Sequence, residues 1–520
     1  MTAKLSRYVL IAVAGAMAMA GCGLSVSAQQ WTFPPAVPSE ELPAGSQVLA
    51  RGPVHEAFAT PVTMDPQAPI VVPRPPPQPI QEMPPAERPA GADIVWVPGY
   101  WAWDADRGDF IWVSGCWRNP PPQTYWVPGH WLQTSAGWQW IAGFWKPIAT
   151  QPVQQIEYLP APPAPVQIEA PRSSPLPDQI WVPGCWYWSG GRYVLRPGYW
   201  ITPQPGWVWV PSHYVWTPRG YIFSPGHWDY DLDNRGVLFT PAYFPPAVRV
   251  QVGFVFSPGI CVDLGILRLN LFAYPRYRHY YFGDYYDDAY LRVGIYPWHR
   301  CQTIHTWYDP LFVHDRWKVR RTEPNWARRQ AQEFEMRRAN RDLRPAHTFA
   351  EFQSRMDRMP AAKRPERSLV QPVRTFAASP AAPVRFERIT PAERQQISAR
   401  STEIRDLRSQ RTQWEAPSGP PPSSMPAAAR QQPATQIQKT REARSTPPPA
   451  VRITRPEQVT VPHSPAPSRP SDSRYIERVA PGRPPQEQSR VGAAPNTKPS
   501  GKDSRGPSQP RDARGSSRGR

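Results

Sequence analysis

Chemistry in this chain would have to come from a small number of side-chain groups. The first is His299, Cys301 and His305, with His279 and His314 nearby. Imidazole and thiolate are good ligands for zinc, yet the spacing H-x-C-x-x-x-H matches no familiar zinc pattern, and an oxidising compartment offers the thiol a competing fate. No metal site is assigned on that spacing. The second group is two sets of alternating carboxylates, Asp104, Asp106 and Asp109, and Asp229, Asp231 and Asp233. They resemble a loose calcium loop but lack its glutamate and spacing, and turn formation is the simpler account. The third is the cysteines. If Cys22 is consumed at a processed N-terminus, Cys116, Cys185, Cys261 and Cys301 form an even set, and a Cys116–Cys185 bridge is favoured because both fill the same slot of a repeated motif. No G-x-S-x-G, H-E-x-x-H, phosphate-loop or dinucleotide-binding signature appears, so no catalytic residue and no cofactor is assigned.

The elements that would position these groups are set by that motif. WVPGYW (96 to 101) returns as WVSGCW (112), WVPGHW (126), WIAGFW (140), WVPGCW (181), LRPGYW (195), WVPSHY (209), FSPGHW (223) and FTPAYF (239). A stride of 14 to 16 residues, broken once by a proline-rich gap, is a repeat of small β units, none able to bury its aromatic face without neighbours. Trp, Tyr, Phe and Val favour strands, and glycines punctuate too often for helices. The motif has two readings. With Pro98 and Gly99 as a two-residue loop, Trp96 would face Trp101 across strands; with a bulge or bend, the chain runs on. Pro-Gly suits a type II turn, whose twist fits hairpins poorly, so the bend is preferred. Hairpin tips are then expected between motifs, at 104–109, 134–137, 189–191, 203–206, 218–220 and 233–236. The repeat aromatics Trp96, Trp101, Trp112, Trp117, Trp126, Trp131, Trp140, Trp145, Trp181, Trp186, Trp200, Trp209 and Trp228 are expected mainly as core, with surface stacking on sugar rings as the alternative. His130, His213 and His227 fill the motif's variable slot and read as ordinary strand residues.

Along the chain, residues 1–28 read as an export signal, with Lys4 and Arg7 before a short apolar run. Two processing sites compete: a lipobox-like Met19-Ala20-Gly21-Cys22, which makes Cys22 a lipidation candidate, and Val26-Ser27-Ala28. A Pro-rich leader follows at 29–92, then the first Trp-repeat block at 93–146, a Pro-rich spacer at 147–179 and the second block at 180–272. Because PRPPPQPIQEMP (73–84) resembles PAPPAPVQIEAP (160–171), the two blocks read as duplicated cassettes, each a proline spacer plus a repeat block. Residues 273–324 are Tyr- and His-rich and irregular, 325–358 are helical, and 359–520 form a basic, Pro/Ser/Arg-rich tail expected to be disordered but for a helix at 391–414 capped by Thr390. The fold class is therefore mainly β: an antiparallel meander of Trp-rich repeats with Pro-rich spacers, one or two short helices and a long disordered tail.

Charge divides the chain. Of 60 Lys+Arg and 41 Asp+Glu, residues 1–315 hold 19 and 22, leaving 41 and 19 for residues 316–520. The excess is almost all arginine, which pairs well with phosphates and carboxylates. After export the available partners are anionic envelope polymers, lipid headgroups or glycans, with the membrane reached through a lipid anchor and nucleic acid disfavoured.

The stretches Trp96–Trp145 and Trp181–Trp228 resemble the YXWGXW, or WXXGXW, repeat of exported bacterial proteins and lipoproteins, whose longer forms are similar in carrying a Pro-rich leader, a Tyr-rich segment like YYFGDYY (280–286) and a basic tail. Ser114, Ala142, Ser212 and Ala242 depart from the motif at its Pro or Gly positions, and Phe or Leu replaces Trp in later copies. The resemblance implies no catalytic residues. The expectation is an exported structural or interaction protein of the cell envelope. The alternatives are a carbohydrate- or peptidoglycan-binding module using exposed Trp and Tyr, and an enzyme or metal protein centred on residues 299–314.

Overall fold

The Pro-Gly step in each motif bends a strand and does not reverse it. In the computed structural model Val95–Val97 and Tyr100–Asp104 form one arm of a long hairpin, and Asp109–Val113 and Cys116–Arg118 form the other. Trp101 pairs across with Trp112 and Trp96 with Trp117, so two motifs facing one another make one hairpin broken at mid-height. The same arrangement recurs with Trp126 opposite Trp145 and Trp131 opposite Trp140, with Trp181 opposite Trp200, and with Trp209 opposite Trp228. A degenerate fifth unit brings FTPAYF beside FSPGIC (256 to 261) through an isolated Phe239–Cys261 bridge and a Phe244–Phe256 ring contact at 5.1 Å, its flanking strands pairing instead with the first hairpin and the leader. The fold is thus mainly β and antiparallel, one bent hairpin after another. Of the expected tips, 203–206 and 233–236 instead link successive hairpins. One turn closes a hairpin and the next must hand the chain on.

The described residues are 36–91, 93–148, 156–165, 178–304, 307–365, 367–380 and 382–416. Residues 1–28, read above as an export signal, with Cys22, His305 and the tail beyond 416, lie outside them. The described residues fall within a single compact unit spanning Met1–Met425. None of their helices is long and apolar enough to cross a membrane.

The first proline-rich stretch is a structural strap, where a polyproline spacer was expected. It contributes ladders of two or three residues, such as Val71–Val72 against Trp138 and Gln139, and Gly52–Pro53 against the strand His279–Phe282. Ala57, Phe58 and Val62 have no exposed surface. Proline spaces these ladders because it lacks an N–H, while the apolar residues between prolines fill the gaps among hairpins. The cassette duplication is visible here: Val71–Val72 pairs at the tip of the second hairpin, and Leu159 makes the corresponding bridge to Tyr221 at the tip of the fourth. At those tips Gly137 and Gly220 share φ of 135°, a region that favours glycine.

Helices beyond the β region are more numerous than the sequence suggests. They run Pro310–Val319, Trp326–Ala339, Phe349–Arg358 and Pro391–Glu415. The last, the strap helix, starts from a capping box between Thr390 and Glu393. Residues 359–416, expected as part of a disordered tail, pack back onto the hairpins, because the arginines of this helix find buried acceptors there.

Candidate functional site

The bends are where polar chemistry concentrates. In the first two hairpins each bend glycine carries the first Trp of the facing motif, so that a Cβ at Gly115 would lie 2.5 Å from Cζ2 of Trp96 and one at Gly129 would lie 2.5 Å from Cζ2 of Trp140. Only glycine permits that approach. Two facing bends also aim their glycine N–H groups at a common point. In the first hairpin that point is Glu82 of the leader, which accepts Gly99 N–H at 2.8 Å, Gly115 N–H at 3.0 Å and the Trp112 indole N–H at 3.0 Å. In the second it is Glu56, which accepts Gly129 N–H at 3.0 Å, Gly143 N–H at 3.1 Å and Trp140 N–H at 3.2 Å. Both carboxylates are buried.

Later hairpins solve the same problem with hydroxyls. Gly226 N–H donates to Ser212 Oγ at 2.8 Å, the serine standing where the motif has glycine, and Gly259 N–H donates to Ser39 Oγ of the leader at 2.7 Å. Where the acceptor is a hydroxyl, the second motif opens with Phe223 or Phe256 in place of tryptophan. At the first two bends the tryptophan that opens the second motif adds its indole N–H to the carboxylate.

Bend carbonyls are served from the other side by the strap helix. Arg411, with no exposed surface, donates to Pro128 O at 2.8 Å and Ala142 O at 3.1 Å and pairs with Glu415 at 2.9 Å. Arg408 reaches Gly99 O at 3.4 Å, and Arg394 reaches a leader carbonyl, Pro84 O, at 2.7 Å. Burial pulls the Arg408 guanidinium down to about 10, opposed by Glu56.

A buried hydrogen-bonded chain connects the two carboxylates' neighbourhoods. His55 donates to Pro98 O at 3.2 Å, Glu56 N–H donates to the Tyr100 hydroxyl at 3.1 Å, and Tyr100 lies 2.8 Å from His279 Nε2. Because His279 Nδ1 donates to Tyr277 O at 2.8 Å, its Nε2 is the acceptor for Tyr100. Burial pushes the His55 imidazole down to about 3 and the Glu82 carboxyl up to about 7, against the pull of its N–H donors. Burial and the nearby Arg411 and Arg408 hold His130 neutral, so its 3.6 Å approach to Glu415 is not an ion pair. Perturbed groups of this kind mark many active sites. Here Glu82 is 3% and His55 1% exposed, and their donors and acceptors are engaged by backbone and indole. The arrangement holds bends; it offers no reacting atom to solvent.

The sequence-derived candidates separate accordingly. His279 belongs to the buried chain just described, His299 packs its ring on Phe334 at 5.6 Å, and His314 sits beside Asp315 at 3.4 Å. Among the described residues no three ligand-type side chains converge on a point, and His305 lies outside them. Cys116, Cys185, Cys261 and Cys301 are all free thiols, so the favoured Cys116–Cys185 bridge is not formed. Cys116 points into the core of the first hairpin opposite Leu238 and Val97, while Cys185 faces Arg196 within the third. Burial raises the Cys185 thiol to about 12, so it is not a poised nucleophile. Asp109 pairs with Arg249 at 2.8 Å, and Asp229 is gripped by Arg118 at 2.6 Å and Arg235 at 2.9 Å; these carboxylates are ion-pair partners.

The repeat aromatics divide by cassette. Trp96, Trp101, Trp112, Trp117, Trp126, Trp131, Trp140 and Trp145 are all buried, whereas Trp181, Trp186, Trp200, Trp209 and Trp228 are half-buried and Tyr199 is 38% exposed. The first block is core. The second presents an aromatic face. Sequence reasoning passed over Glu56, Glu82, Ser39 and Arg411, although Glu82 is the lone charge between Arg74 and Glu87 in an otherwise neutral stretch.

The WXXGXW repeat family matches this chain at residues 95–118, 107–132, 177–200 and 205–229, with a model that spans two copies of the motif. No curated protein and no solved structure matches it. Three of the four matched stretches coincide with the first, third and fourth hairpins. The chain carries the WXXGXW repeat, and the two-copy unit of that family corresponds here to one bent hairpin.

Proposed function

We propose that this chain is an exported, non-enzymatic scaffold of the cell envelope, in which a rigid aromatic β-repeat displays an arginine-rich arm, residues 417–520, to anionic polymers, lipid headgroups or glycans. One observation carries the reading: the carboxylates Glu56 and Glu82 and the guanidinium of Arg411, which in an enzyme would be candidates for chemistry, are spent on the bends of the repeat. The charge imbalance of residues 316–520 supports the arm. The export signal and the lipobox-like Cys22 support placement outside the cytoplasm, either anchored through Cys22 or released at Ala28. The test is intact mass of protein from its native host together with retention on isolated envelope polymers. Lipid on Cys22 and loss of retention when 417–520 is deleted are expected; retention independent of the arm refutes the arm's role.

A second reading, a sugar-binding module, is favoured by the half-buried aromatics of the third and fourth hairpins, since exposed ring faces stack on sugar rings. It predicts retention on neutral glycans that survives deletion of the arm.

A further inference from the structure

Among the described residues six arginines are buried, and five of them hold a carboxylate. Arg51 pairs with Asp106, Arg118 and Arg235 share Asp229, Arg344 pairs with Asp287, and Arg411 pairs with Glu415. The sixth, Arg278, is 6% exposed and makes no ion pair. Its Nη2 donates to His213 Nε2 at 2.9 Å. His213 Nδ1 donates to Pro211 O at 2.8 Å, so its Nε2 is a bare acceptor and the ring brings no charge. The other two nitrogens of the guanidinium, Nε and Nη1, are buried without a hydrogen-bond partner.

Arg278 borders a cavity of about 30 Å³, together with His213 and Ser224. The Ser224 hydroxyl is 1% exposed and also has no partner. Glu56 and Asp229 border the same cavity, but their oxygens are engaged, Glu56 by the N–H groups of Gly129, Gly143 and Trp140, and Asp229 by Arg118 and Arg235. Setting Arg118, Arg235 and Arg278 against Glu56 and Asp229 leaves one positive charge over. Burial pulls the Arg278 guanidinium down to about 10, opposed by Glu56. A second cavity of about 20 Å³, beside Tyr277 and Trp140, also touches Arg278. Because Nη2 reaches His213, which borders the first of the two and not the second, the guanidinium head belongs to the first.

We propose that this cavity binds a halide ion, chloride, as the counter-ion of Arg278. A buried charge left unpaired is strongly destabilising, and one monovalent anion supplies what the protein's own carboxylates do not. The unengaged groups are donors, the Arg278 N–H groups and the Ser224 hydroxyl, and a donor set carrying net positive charge selects an anion over water. Size narrows the choice. The cavity has room for about two waters, so a monatomic anion fits where sulfate, phosphate or an organic acid does not. Its walls come from the leader at Phe58, the second hairpin at Trp145, the fourth hairpin at His213 and Ser224, and Arg278 of the Tyr-rich segment. The ion therefore fastens hairpins of the two cassettes to one another. It is a property of the folded core and holds whether the molecule serves as a scaffold or binds sugars.

The experiment is thermal unfolding of the full chain in sodium chloride, sodium sulfate and sodium gluconate, all at one ionic strength of about 0.2 M so that screening is constant. A ligand that binds only the folded protein raises the midpoint as its concentration rises. Chloride is expected to raise the midpoint by a few degrees over sulfate and gluconate, whose anions are too large for the cavity, and bromide to act like chloride. Ser224→Ala is expected to raise the half-maximal chloride concentration about fivefold, through loss of one donor. Arg278→Met, of similar length and uncharged, is expected to unfold at one midpoint in all the salts; if it does not fold, Ser224→Ala decides. Equal midpoints in chloride and gluconate mean that water serves the guanidinium, and the proposal fails. A rise that sulfate matches is a general salt effect and also overturns it. A chloride effect unchanged in the variants places the ion elsewhere, on the arginine-rich arm for example, and overturns the site.

Discussion

In the first hairpin Trp112 lies over Gly99 and donates to Glu82, whereas in the third Leu195 stands in the place of that tryptophan, opposite Trp186. The strands, registers and cross-strand Trp pairs are alike: Trp96 and Trp117 sit 5.2 Å apart between ring centres, and so do Trp181 and Trp200. What differs is the side chain that covers the bend and the burial of the pair, since the first pair is 3% and 1% exposed while the second is half-buried. The comparison separates two uses of one motif. Aromatic pairing gives the hairpin its shape, and the seated carboxylate locks it into a core.

The largest break in that contrast is expected from the carboxylates themselves. Glu82→Ala or Glu56→Ala leaves two glycine N–H groups and an indole N–H buried without an acceptor, a loss of about 3–5 kcal/mol in denaturant unfolding. Removing the corresponding hydroxyl in the fourth hairpin, Ser212→Ala, is expected to cost about 1 kcal/mol, because a neutral acceptor for one N–H is lost. Arg411→Met comes next. It strands the buried Glu415, with an expected cost of about 3 kcal/mol that the double change Arg411→Met with Glu415→Leu largely recovers, which unfolding of the pair of variants measures.

Titration gives an intermediate effect with a defined sign. The folded state holds Glu82 protonated up to about pH 7, above the ordinary carboxyl value, so between about 4.5 and 7 Glu82 favours the fold more as pH falls. His55, held down to about 3, acts oppositely: its neutral form is required, and stability is lost as pH drops from about 6.5 towards 3. Burial holds His213, His227 and His279 down as well, so acid is expected to destabilise the protein overall. Glu82→Gln is expected to steepen that loss, measurable as thermal midpoint against pH. A flatter acid limb in the variant would contradict the assignment.

The smallest effect is a sharpening of the contrast. Oxidative footprinting read by mass spectrometry is expected to modify Trp181, Trp186 and Trp200 several-fold faster than Trp96, Trp112 and Trp117. Leu195→Trp should narrow that difference by supplying the indole that the first two hairpins place over this bend, with slower amide exchange at 184 and 198 as its signature.

The hairpin series was legible because Trp, Val and Gly recur at strand and bend positions, and the preference of Pro-Gly for a type II turn already disfavours a tight reversal at the motif. The pairing of FTPAYF with FSPGIC was half visible as an echo at Phe256 to Gly259. What could not be read was the partner of each bend. Glu82 precedes Gly115 by 33 residues and Arg411 follows Pro128 by 283, and nothing local marks either as buried. Proline content argued for a spacer in the leader, but prolines separated by two-residue ladders are compatible with packing once an edge is available. Arginine content argued for a solvated tail up to 416, but guanidinium groups can follow carbonyls into a core when the acceptors are preset. The Cys116–Cys185 bridge is absent because equivalent slots in duplicated cassettes need not meet: Cys116 is buried between Val97 and Leu238, while Cys185 is half-buried opposite Arg196.

Since the strap helix closes on the first and second hairpins from nearly 300 residues downstream, the order of synthesis constrains how this protein folds. The aromatic hairpins form from local contacts soon after they emerge, but their carbonyls wait for Arg408 and Arg411. Long-range closure of this kind is slow, and until it occurs rows of indoles stand open to other chains. A fragment ending before residue 391 is therefore expected to form native-like hairpins and to self-associate, and adding the strap helix as a separate peptide should reverse both the association and its dependence on concentration.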